Sequence, residues 1–555
     1  MKKIIACIIY FILITRSLGV VPEVKTNLID SMSLREKIAQ MIISSVIPEN
    51  FSDRNENSSE MLRLKRLCSE EKIGGLIFFK GSIDDYVWLS NKLQSFAETP
   101  LLISADFERG IKMRVTDGVI FPNNMAIGAA GNYELCYRMG SEIARQMKIL
   151  GVHQNYSPVC DVNNNPDNPI INVRSFGEEP ELVSVMSEAM IKGLQDGGVI
   201  ATAKHFPGHG DTDIDSHKDL PVLKFPMDRL ENIELVPFRN AVKNGVKSVM
   251  IAHLSFPELE SNMQIPASLS ANIVQNLLID KIGFNGLVVT DALNMKGITK
   301  YYSVPEVALM CVKAGIDLIL MPLDEKKTID AIESAVKNGI ISEERINHSA
   351  KKILDAKKNL GLFEKRHNYS ENPYSEIHSA EAYEIASRLA DESITLVKDE
   401  YNNLPIKQEN KKTAIVIISE GGESDNTSYL INNYSEYIHE ADLNPAPALY
   451  KDYDMIIIAV YAKVRFGTGR ISLSRENVDK IKKIFSRNKN TVVISFGNPY
   501  LLKEFPEIPA YICAYGDQDI SIISALKALT GKIPFKGKLP VSLCDNYKRG
   551  WGIIR

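Results

Sequence analysis

Short apolar runs alternate with longer amphipathic segments between about residues 30 and 365 of this 555-residue chain. Eight of the short runs are continuously apolar and rich in β-branched residues, without the polar alternation of a half-exposed strand. Such runs are typical of parallel strands that are covered on both faces. The predicted strands are Ala39–Ser44, Gly75–Phe79, Leu101–Glu108, Val152–Val162, Ile200–Phe206, Ser248–His253, Gly286–Leu293 and Ile316–Met321.

The segments between these runs have the spacing of amphipathic helices. The clearest one follows Pro180, where apolar residues recur at intervals of mostly three or four: Leu182, Val185, Met186, Met190 and Leu194. Eight strand–helix units in a row predict an α/β fold with a (β/α)8 TIM barrel, and a doubly wound open sheet is the alternative. The polar residues at the ends of the predicted strands favour the barrel.

A second strand–helix series follows a polar stretch that contains Pro373. Its predicted strands are Thr413–Ser419, Met455–Val460, Thr491–Phe496, Ala510–Ala514 and Lys538–Ser542. The pattern therefore predicts a barrel followed by a smaller α/β sandwich domain. The expected divisions are a signal peptide at 1–19, the barrel domain at 28–365, a linker at 366–385 and the second domain at 386–555.

The N-terminus has the form of a secretory signal. Lys2 and Lys3 precede an apolar stretch, Ile4–Thr15, and small residues follow at Ser17 and Gly19. The stretch is short for a membrane span, so we expect cleavage after Gly19, and an uncleaved anchor is the alternative. The expectation is an exported protein, periplasmic or extracellular, with no transmembrane segment after cleavage.

Composition narrows the class of protein. Hydrophobic residues make up 45% of the chain and its formal net charge is −4, which argues against a nucleic-acid-binding protein built on a basic face. The seven cysteines are scattered, with no CxxC spacing, so neither a disulfide framework nor a zinc site is indicated. Cys311 and Cys513 lie in apolar runs, which predicts buried free thiols.

Polar residues follow five of the eight predicted barrel strands, at their carboxyl ends. The active site of a (β/α)8 barrel lies at this face, because the loops after the strands converge there. A single Asp at a strand end is often a helix cap, but five such ends indicate an active site. The residues concerned are Asp106, Glu108 and Arg109 at the end of the third strand with Arg114 beyond it, Asp161 at the end of the fourth with Arg174 in the loop, Lys204 and His205 at the end of the fifth, His253 at the end of the sixth and Asp291 at the end of the seventh.

The segment from Lys204 to His217 is the richest in candidate chemistry. A metal site formed by His205, His209 and His217 is one interpretation, and a solvated loop is another. We favour a dyad of Asp215 and His217, because residues two apart in an extended stretch point to the same side. The carboxylate would raise the pKa of the imidazole, which suits a general acid.

Asp291 is the candidate nucleophile. The buried run before it would deliver an ionised carboxylate to the active face, where it could attack the anomeric carbon of a sugar. Retaining glycosidases pair such a nucleophile with an acid that acts as a base in the second step. Both groups are usually carboxylates, and His217 would replace one of them.

Two motifs carry a resemblance to a known family: Lys204-His-Phe-Pro-Gly-His-Gly-Asp211 with Asp215-Ser-His217, and Val289-Thr-Asp-Ala-Leu-Asn-Met295. They resemble glycoside hydrolase family 3, in particular the two-domain, exported β-N-acetylhexosaminidases of the NagZ type. Supporting matches lie at 106–114, 155–161, 174–177, 393–398 and 537–541. One turn departs from the family pattern, since Glu108-Arg109-Gly110 stands where Glu-Gly-Gly-Arg is common.

The resemblance implies a role for each matching residue. Asp291 would be the nucleophile, His217 the acid/base and Asp215 its partner. His209 would shape the loop, and no metal or other cofactor is expected. The residues expected to bind the terminal N-acetylglucosamine are Asp106, Arg114, Arg174, Lys204 and His205.

The function implied is that of a retaining exo-β-N-acetylglucosaminidase (EC 3.2.1.52). Its substrates would be N-acetylglucosamine-containing saccharides or muropeptides, derived from peptidoglycan or chitin. One alternative is a phosphorylase, in which phosphate replaces water. Another is a β-glucosidase with a second-domain glutamate as acid/base, for which Glu420, Glu423 and Glu476 are available. A non-enzymatic sugar-binding protein is disfavoured, because all three candidate catalytic residues are present.

Overall fold

The computed structural model of this chain describes residues 28–212, 219–367, 370–407, 412–420, 425–438, 441–462 and 472–555. The predicted signal peptide at 1–19 lies outside the described residues, and so do Asp215 and His217. Within the parts of the chain that are described, every helix is too short or too polar to cross a bilayer.

Eight parallel strands form the barrel, in the sheet order β7-β6-β5-β4-β3-β2-β1-β8. The ring closes between β7 and β8, where the amide of Thr290 donates to the carbonyl of Leu318 at 3.1 Å. The predicted barrel is therefore confirmed, and the open doubly wound sheet is wrong. The strands are β1 (Ile42–Val46), β2 (Gly75–Phe78), β3 (Leu102–Ala105), β4 (Gln154–Asn155), β5 (Ile200–Phe206), β6 (Ser248–Ile251), β7 (Leu287–Thr290) and β8 (Ile319–Leu320).

Helices pack around this ring, and several begin at a serine cap. Ser33 and Ser82 each form a capping box, which satisfies the first free amides of the helix that follows. The α-helices of this part of the chain are Leu34–Gln40, Ser59–Ser69, Ile83–Phe96, Asn124–Ala130, Tyr133–Leu150, Pro180–Asp196, Met227–Asn232, Leu235–Lys243, Lys296–Thr299, Val304–Ala314, Glu325–Lys337 and Glu343–Asn359, and Asn272–Lys281 is a π-helix.

Seven of the eight predicted barrel strands have different bounds in the structure, and Ile200–Phe206 agrees at both ends; the first and the fourth show the reasons. The first was expected to begin at Ala39, but Ala39 lies in the helix Leu34–Gln40, and β1 begins three residues later. The fourth was expected to span Val152–Val162, but β4 has two residues. Pro158 has no amide hydrogen to donate, so beyond Asn155 the chain pairs with β5 only through single bonds such as that from Lys204 N to the Pro158 carbonyl.

The second domain has a six-stranded sheet in the order β11-β10-β12-β13-β14-β9, in which only β9 runs antiparallel to its neighbour. Its strands are β9 (Thr395–Asp399), β10 (Thr413–Ser419), β11 (Ala441–Leu443), β12 (Met455–Tyr461), β13 (Thr491–Ser495) and β14 (Ala510–Cys513). The α-helices between the barrel and the end of this domain are Pro373–Ile377, Ala380–Ser393, Asp425–Asn433, Arg475–Arg487 and Asp519–Leu529.

The sequence pattern did not predict β9 and β11, and the strand predicted at 538–542 is wrong. Pro540 interrupts that segment, and its backbone hydrogen bonds go partly to the barrel domain and partly to residues 550–551 of the chain end instead of a sheet. The amide of Lys538 donates to the Ala129 carbonyl at 3.0 Å, and the Pro540 carbonyl accepts from Glu178 N at 3.1 Å.

The two domains share a packed interface at the carboxyl end of the barrel. Met125 and Ala126 of the barrel domain pack into the second domain's apolar core. Polar contacts reinforce it: Asn163 Nδ2 donates to the Tyr500 hydroxyl at 2.9 Å, and the Ser542 hydroxyl donates to Glu178 at 2.6 Å. The loops after β13 and β14 therefore lie next to the face where the barrel's polar residues gather.

Candidate active site

A cavity of about 650 Å³ opens at the carboxyl end of the barrel strands, and both domains line it. Asp106, Arg174, Lys204 and Asp291 come from four different strands or the loops that follow them. The second domain adds residues 496–498 after β13 and 516–518 after β14. A ligand in this cavity therefore meets groups from both sheets.

Asp106 is held between two cations on one wall of the cavity. Lys204 Nζ lies 2.9 Å from Asp106 Oδ1, and Arg114 Nη2 lies 3.0 Å from Asp106 Oδ2. Burial raises the pKa of the Asp106 carboxyl, but the charges of Lys204 and Arg114 outweigh it and lower that pKa. Asp106 is therefore an ionised acceptor that sugar hydroxyls can reach, since it is partly exposed to the cavity.

Glu108 forms a second ion pair beside the first. Arg174 Nη2 and Nε donate to its two carboxylate oxygens at 2.7 and 3.0 Å, and Lys204 Nζ lies 2.8 Å from Oε1. These charges hold the pKa of the Glu108 carboxyl well below its usual range despite burial. Sequence reasoning left Glu108 out of the binding set, although its position two residues after Asp106 was the available signal.

The Asp161 carboxylate organises the two histidines of the motif after β5. His205 Nδ1–H donates to Asp161 Oδ2 at 2.7 Å, and the amides of His205 and His209 donate to Oδ1 at 3.2 and 2.7 Å. This bond directs His205 Nε2 towards Arg174, whose Nη2 lies 3.5 Å away. Asp161 is fully buried and supports the site from behind, a role that sequence reasoning did not assign.

Asp291 follows β7 directly and is partly exposed to the cavity. The amide of Ala292 donates to Asp291 Oδ1 at 2.8 Å. Burial raises the pKa of this carboxyl, but the charges of His253 and His205, the Ala292 amide and Lys204 together lower it to about 2. The carboxylate is therefore ionised at any pH near neutrality, as a nucleophile requires.

His253 lies behind Asp291 and does not line the cavity. Its Nε2–H donates to the Ala292 carbonyl at 3.1 Å, and its Nδ1 lies 2.8 Å from the Ser268 hydroxyl oxygen. The sequence placed His253 at the active face. The structure shows a fully buried side chain that supports the turn after Asp291.

Six of the eight predicted site residues line this one cavity: Asp106, Arg114, Arg174, Lys204, His205 and Asp291. The other two, Asp215 and His217, lie outside the described residues, so their placement stays a prediction. His209 is buried, and its Nδ1 lies 2.9 Å from the Thr212 hydroxyl. Thr212 is the last described residue before Asp215 and His217.

The alternatives raised by the sequence can be compared with this geometry. Nδ1 of His205 is hydrogen-bonded to Asp161, and Nδ1 of His209 is hydrogen-bonded to the Thr212 hydroxyl. The expectation that the site binds no metal stays a prediction. Glu420 accepts from Ser474 N and does not line the cavity, and Glu476 does not line it either. Glu423 lies outside the described residues.

Comparison with known proteins adds independent findings. The family model described as glycosyl hydrolase family 3 N terminal domain matches residues 33–356, and the one described as glycosyl hydrolase family 3 C-terminal domain matches residues 394–549. A beta-N-acetylglucosaminidase/beta-glucosidase of Cellulomonas fimi is 28% identical over 501 residues, which cover 84% of this chain and 88% of that protein.

Solved structures are also similar to this chain. A family 3 beta-N-acetylglucosaminidase from Paenibacillus sp. str. FPU-7 is 31% identical with a TM-score of 0.80, over 92% of this chain and 99% of that one. The beta-glucoside phosphorylase BglX bound to 2FGlc is 26% identical with a TM-score of 0.84, over 93% of this chain and 95% of that one.

Proposed function

This chain belongs to glycosyl hydrolase family 3, and from that premise we propose that it is a retaining exo-β-N-acetylglucosaminidase. It would release terminal β-linked N-acetylglucosamine through a covalent glycosyl-enzyme. The observation that carries the proposal is the ionised Asp291 carboxylate, which lines one cavity with a cluster of paired charges suited to sugar hydroxyls.

In the first step, Asp291 attacks the anomeric carbon while the bond from that carbon to the leaving oxygen breaks. His217 gives its proton to the leaving oxygen, so a neutral hydroxyl departs. In the second step, His217 takes a proton from water, the water oxygen bonds to the anomeric carbon, and the Asp291 carboxylate is released. Asp215 would hold the His217 ring in place.

The paired charges bind the terminal sugar in this proposal. Asp106 and Glu108 are ionised and accept hydrogen bonds from hydroxyls, while Lys204 donates. Because each carboxylate already faces fixed cations, its position changes little when substrate binds, and little entropy is lost in ordering it. Arg114, Arg174 and His205 complete this set.

The N-acetyl group and the natural substrate are further parts of the proposal. The names of the Cellulomonas fimi relative and of the Paenibacillus structure support an N-acetylglucosaminide as substrate. Fragments of peptidoglycan or chitin, muropeptides included, are the sources we propose. The apolar segment after Lys3 supports export to the periplasm or medium, with a role in peptidoglycan turnover.

Phosphorolysis is the second candidate, favoured by the similarity to the phosphorylase BglX. Phosphate would then replace water in the second step and the product would be a glycosyl phosphate. An anionic carboxylate acid/base would repel phosphate, whereas a histidine would not.

The test compares aryl β-N-acetylglucosaminide with aryl β-glucoside in phosphate-free buffer, using wild type and His217→Ala. We expect wild type to cleave the N-acetyl substrate much faster, with loss of that activity in the variant. Preference for the glucoside, or indifference to His217, would contradict the proposal. Repeating the reaction with added phosphate, with products identified by mass spectrometry, distinguishes hydrolysis from phosphorolysis.

A further inference from the structure

The second domain carries a strongly basic segment that the proposed mechanism does not use. It comprises residues 480–490, the second half of the helix Arg475–Arg487 and the turn that follows. The segment contains five cations and no acidic residue, in a chain whose formal net charge is −4. All five side chains are exposed: Lys480, Lys482, Lys483, Arg487 and Lys489.

These five charges have no acidic partner in the described parts of the chain. No described carboxylate oxygen lies within 4.0 Å of any of them, including those of Glu476 and Asp479 one turn earlier in the same helix. A lysine on a barrel helix can pair with an acid one turn away, as Lys326 does with Asp330 at 2.7 Å. No such pair forms here, so the basic segment presents its charge to whatever lies outside the molecule.

The apolar side of this helix is already packed into the core of the second domain. Its buried residues are Val478, Ile481, Ile484 and Phe485. Lys480, Lys483 and Arg487 recur at intervals of three and four residues, so they share one face of the helix, and that face is exposed. The helix can therefore offer its charges, but not its apolar side, to a partner.

An exposed apolar turn lies beside the basic segment. Residues 446–449, Ala-Pro-Ala-Leu, are all exposed. Arg487 Nη1 donates to the Pro447 carbonyl at 2.7 Å, and Asn488 Nδ2 donates to the Tyr450 carbonyl at 3.0 Å. Because these bonds fix the turn to the end of the helix, apolar and cationic side chains are exposed side by side.

Two acidic residues next to the turn do not cancel the charge of the basic segment. Asp452 and Asp454 are exposed, but so are Lys451 and Lys412. Asp454 Oδ2 accepts from the amide of Lys412 at 2.8 Å, which places these two residues together. The two acids and the two lysines balance, and the five cations remain.

The basic segment and the apolar turn lie at the end of the second sheet that is away from the cavity. Lys489 lies two residues before β13, whereas residues 496–498, which follow β13, line the cavity. A strand of five residues separates them, which corresponds to roughly 17 Å. A partner at this surface therefore approaches from the end opposite to the cavity and leaves the cavity open.

The residue types favour an extended anionic surface over a single anion. Four of the five cations are lysines. A lysine ammonium is a point charge without a preferred geometry, whereas the guanidinium of arginine matches one carboxylate or phosphate. The apolar turn favours a lipid bilayer over a soluble polyanion, because Leu449, which is 44% exposed, is removed from water only where a lipid boundary receives it.

We propose that residues 480–490 and 446–449 together form a docking surface for a lipid bilayer with anionic headgroups. The five cations are attracted by the charge of the headgroups, and Leu449 enters the boundary between headgroups and acyl chains. Docked in this way, the protein keeps its cavity accessible to a soluble substrate. Docking does not depend on the proposed glycosidase activity.

The experiment measures co-sedimentation of the full chain with two kinds of vesicle: phosphatidylcholine alone, and an equal mixture of phosphatidylcholine and phosphatidylglycerol. We expect wild type to partition into the anionic vesicles at least about ten-fold more strongly than into the neutral ones, with a loss of this excess at high salt. The neutral vesicles also measure any binding through the apolar residues 4–15, which every variant shares.

Two variants separate the contributions of charge and apolar contact. Lys480→Gln/Lys483→Gln should lower partitioning into the anionic vesicles by about ten-fold or more, because it removes two charges from the exposed face. Leu449→Gln should lower it by about three-fold or more, because less apolar surface leaves water. If circular dichroism shows that the lysine variant is unfolded, Lys482→Gln/Lys489→Gln replaces it.

Lys313→Gln/Lys358→Gln is the matched control. It removes two exposed lysines from the last turns of the barrel helices Val304–Ala314 and Glu343–Asn359, so the net charge changes equally. It should partition as wild type does.

Several results would overturn the inference: a wild type without preference for anionic vesicles, unchanged partitioning in the lysine variant or in Leu449→Gln, or an equal loss in the control. Binding to soluble polyphosphate without binding to either vesicle would also overturn it, and would assign the basic segment to a soluble polyanion.

Discussion

The ammonium of Lys204 lies 2.9 Å from the Asp106 carboxylate, although the two residues are 98 positions apart in the chain. Lys204 belongs to β5 and Asp106 follows β3, so the barrel brings them together across the intervening strand β4. Lys204 also contacts Glu108 and is 2% exposed. One buried cation therefore holds two carboxylates of the candidate sugar-binding wall.

Replacing Lys204 by Met should weaken substrate binding and lower the free energy of unfolding. The buried Glu108 and the partly exposed Asp106 would lose a shared partner, and breaking a buried pair costs about 3–5 kcal/mol of unfolding free energy. We expect a loss of that order in urea unfolding and a fall in kcat/KM of at least about a hundred-fold. Lys80→Met, at an exposed ion pair with Glu49, should change either quantity little. Similar effects in both variants would contradict the role given to Lys204.

Replacing Asp291 by Asn should abolish turnover and leave folding intact. The amide has the same shape and can still accept from the Ala292 amide, but it cannot form the glycosyl-enzyme. We expect kcat to fall by about a thousand-fold or more, with a thermal midpoint close to that of wild type. Activity near the wild-type level in a folded Asp291→Asn protein would show that another residue is the nucleophile.

His217→Ala should affect substrates according to their leaving groups. An activated aryl group departs without much proton donation, whereas a sugar hydroxyl needs it. We therefore expect the loss in kcat/KM to be much larger for a disaccharide than for a nitrophenyl glycoside. His209→Ala provides the comparison, since His209 is buried in contact with Asp161 and Thr212 and should affect both substrates alike. An equal loss on both substrates in His217→Ala would argue against its role as the acid.

Lys357 should make stability depend on pH. Its amine is fully buried, donates to Gln40 Oε1 at 2.6 Å, and has a pKa lowered by burial to about 7. Because the unfolded chain holds this proton up to about pH 10.5, the folded state binds fewer protons above pH 7, and stability rises with pH in that window. Lys357→Met should remove this gain.

The measurement is urea unfolding of wild type and Lys357→Met at pH 7 and near pH 9.5. Between pH 7 and pH 9.5 the unfolding free energy of wild type should rise by about 2–3 kcal/mol relative to that of Lys357→Met, since one pKa unit is worth about 1.4 kcal/mol. Lys351→Met, an exposed lysine of the same helix paired with Asp355, should show no such change. A constant difference between wild type and Lys357→Met would contradict the lowered pKa.

Local sequence patterns predicted where some elements lie but not how those elements pack. The helix Pro180–Asp196 was predicted from its spacing, but its buried face includes Val183, and Val185 is 43% exposed. Periodicity locates a helix better than it locates the exact face, because burial also depends on the neighbouring helix. The segment 538–542 has a strand-like sequence, yet Lys538 and Pro540 bond to the barrel domain, and Leu539 bonds to residues 550–551 instead of a sheet.

In the candidate site, the positions of single residues were predicted, but the contacts between them were not. Asp106 and Asp291 were predicted from their places after apolar runs, since strand ends in a barrel converge on one face. The pairing of Glu108 with Arg174, 66 positions away, was not predicted, nor was the support of His205 by Asp161. Such contacts depend on how distant loops meet.

The sequence by itself determined the eight strands, the barrel and the identity of most charged groups at its carboxyl end, because hydrophobic period and strand ends are local properties. Only the tertiary structure decided which charges are paired and that the loop with Asp517 completes the cavity. Arg109 illustrates the reason. Arg114 pairs with Asp106, 8 positions away, and Arg174 with Glu108, 66 positions away, whereas the charge of Asp517 acts on Arg109 from a loop of the second domain.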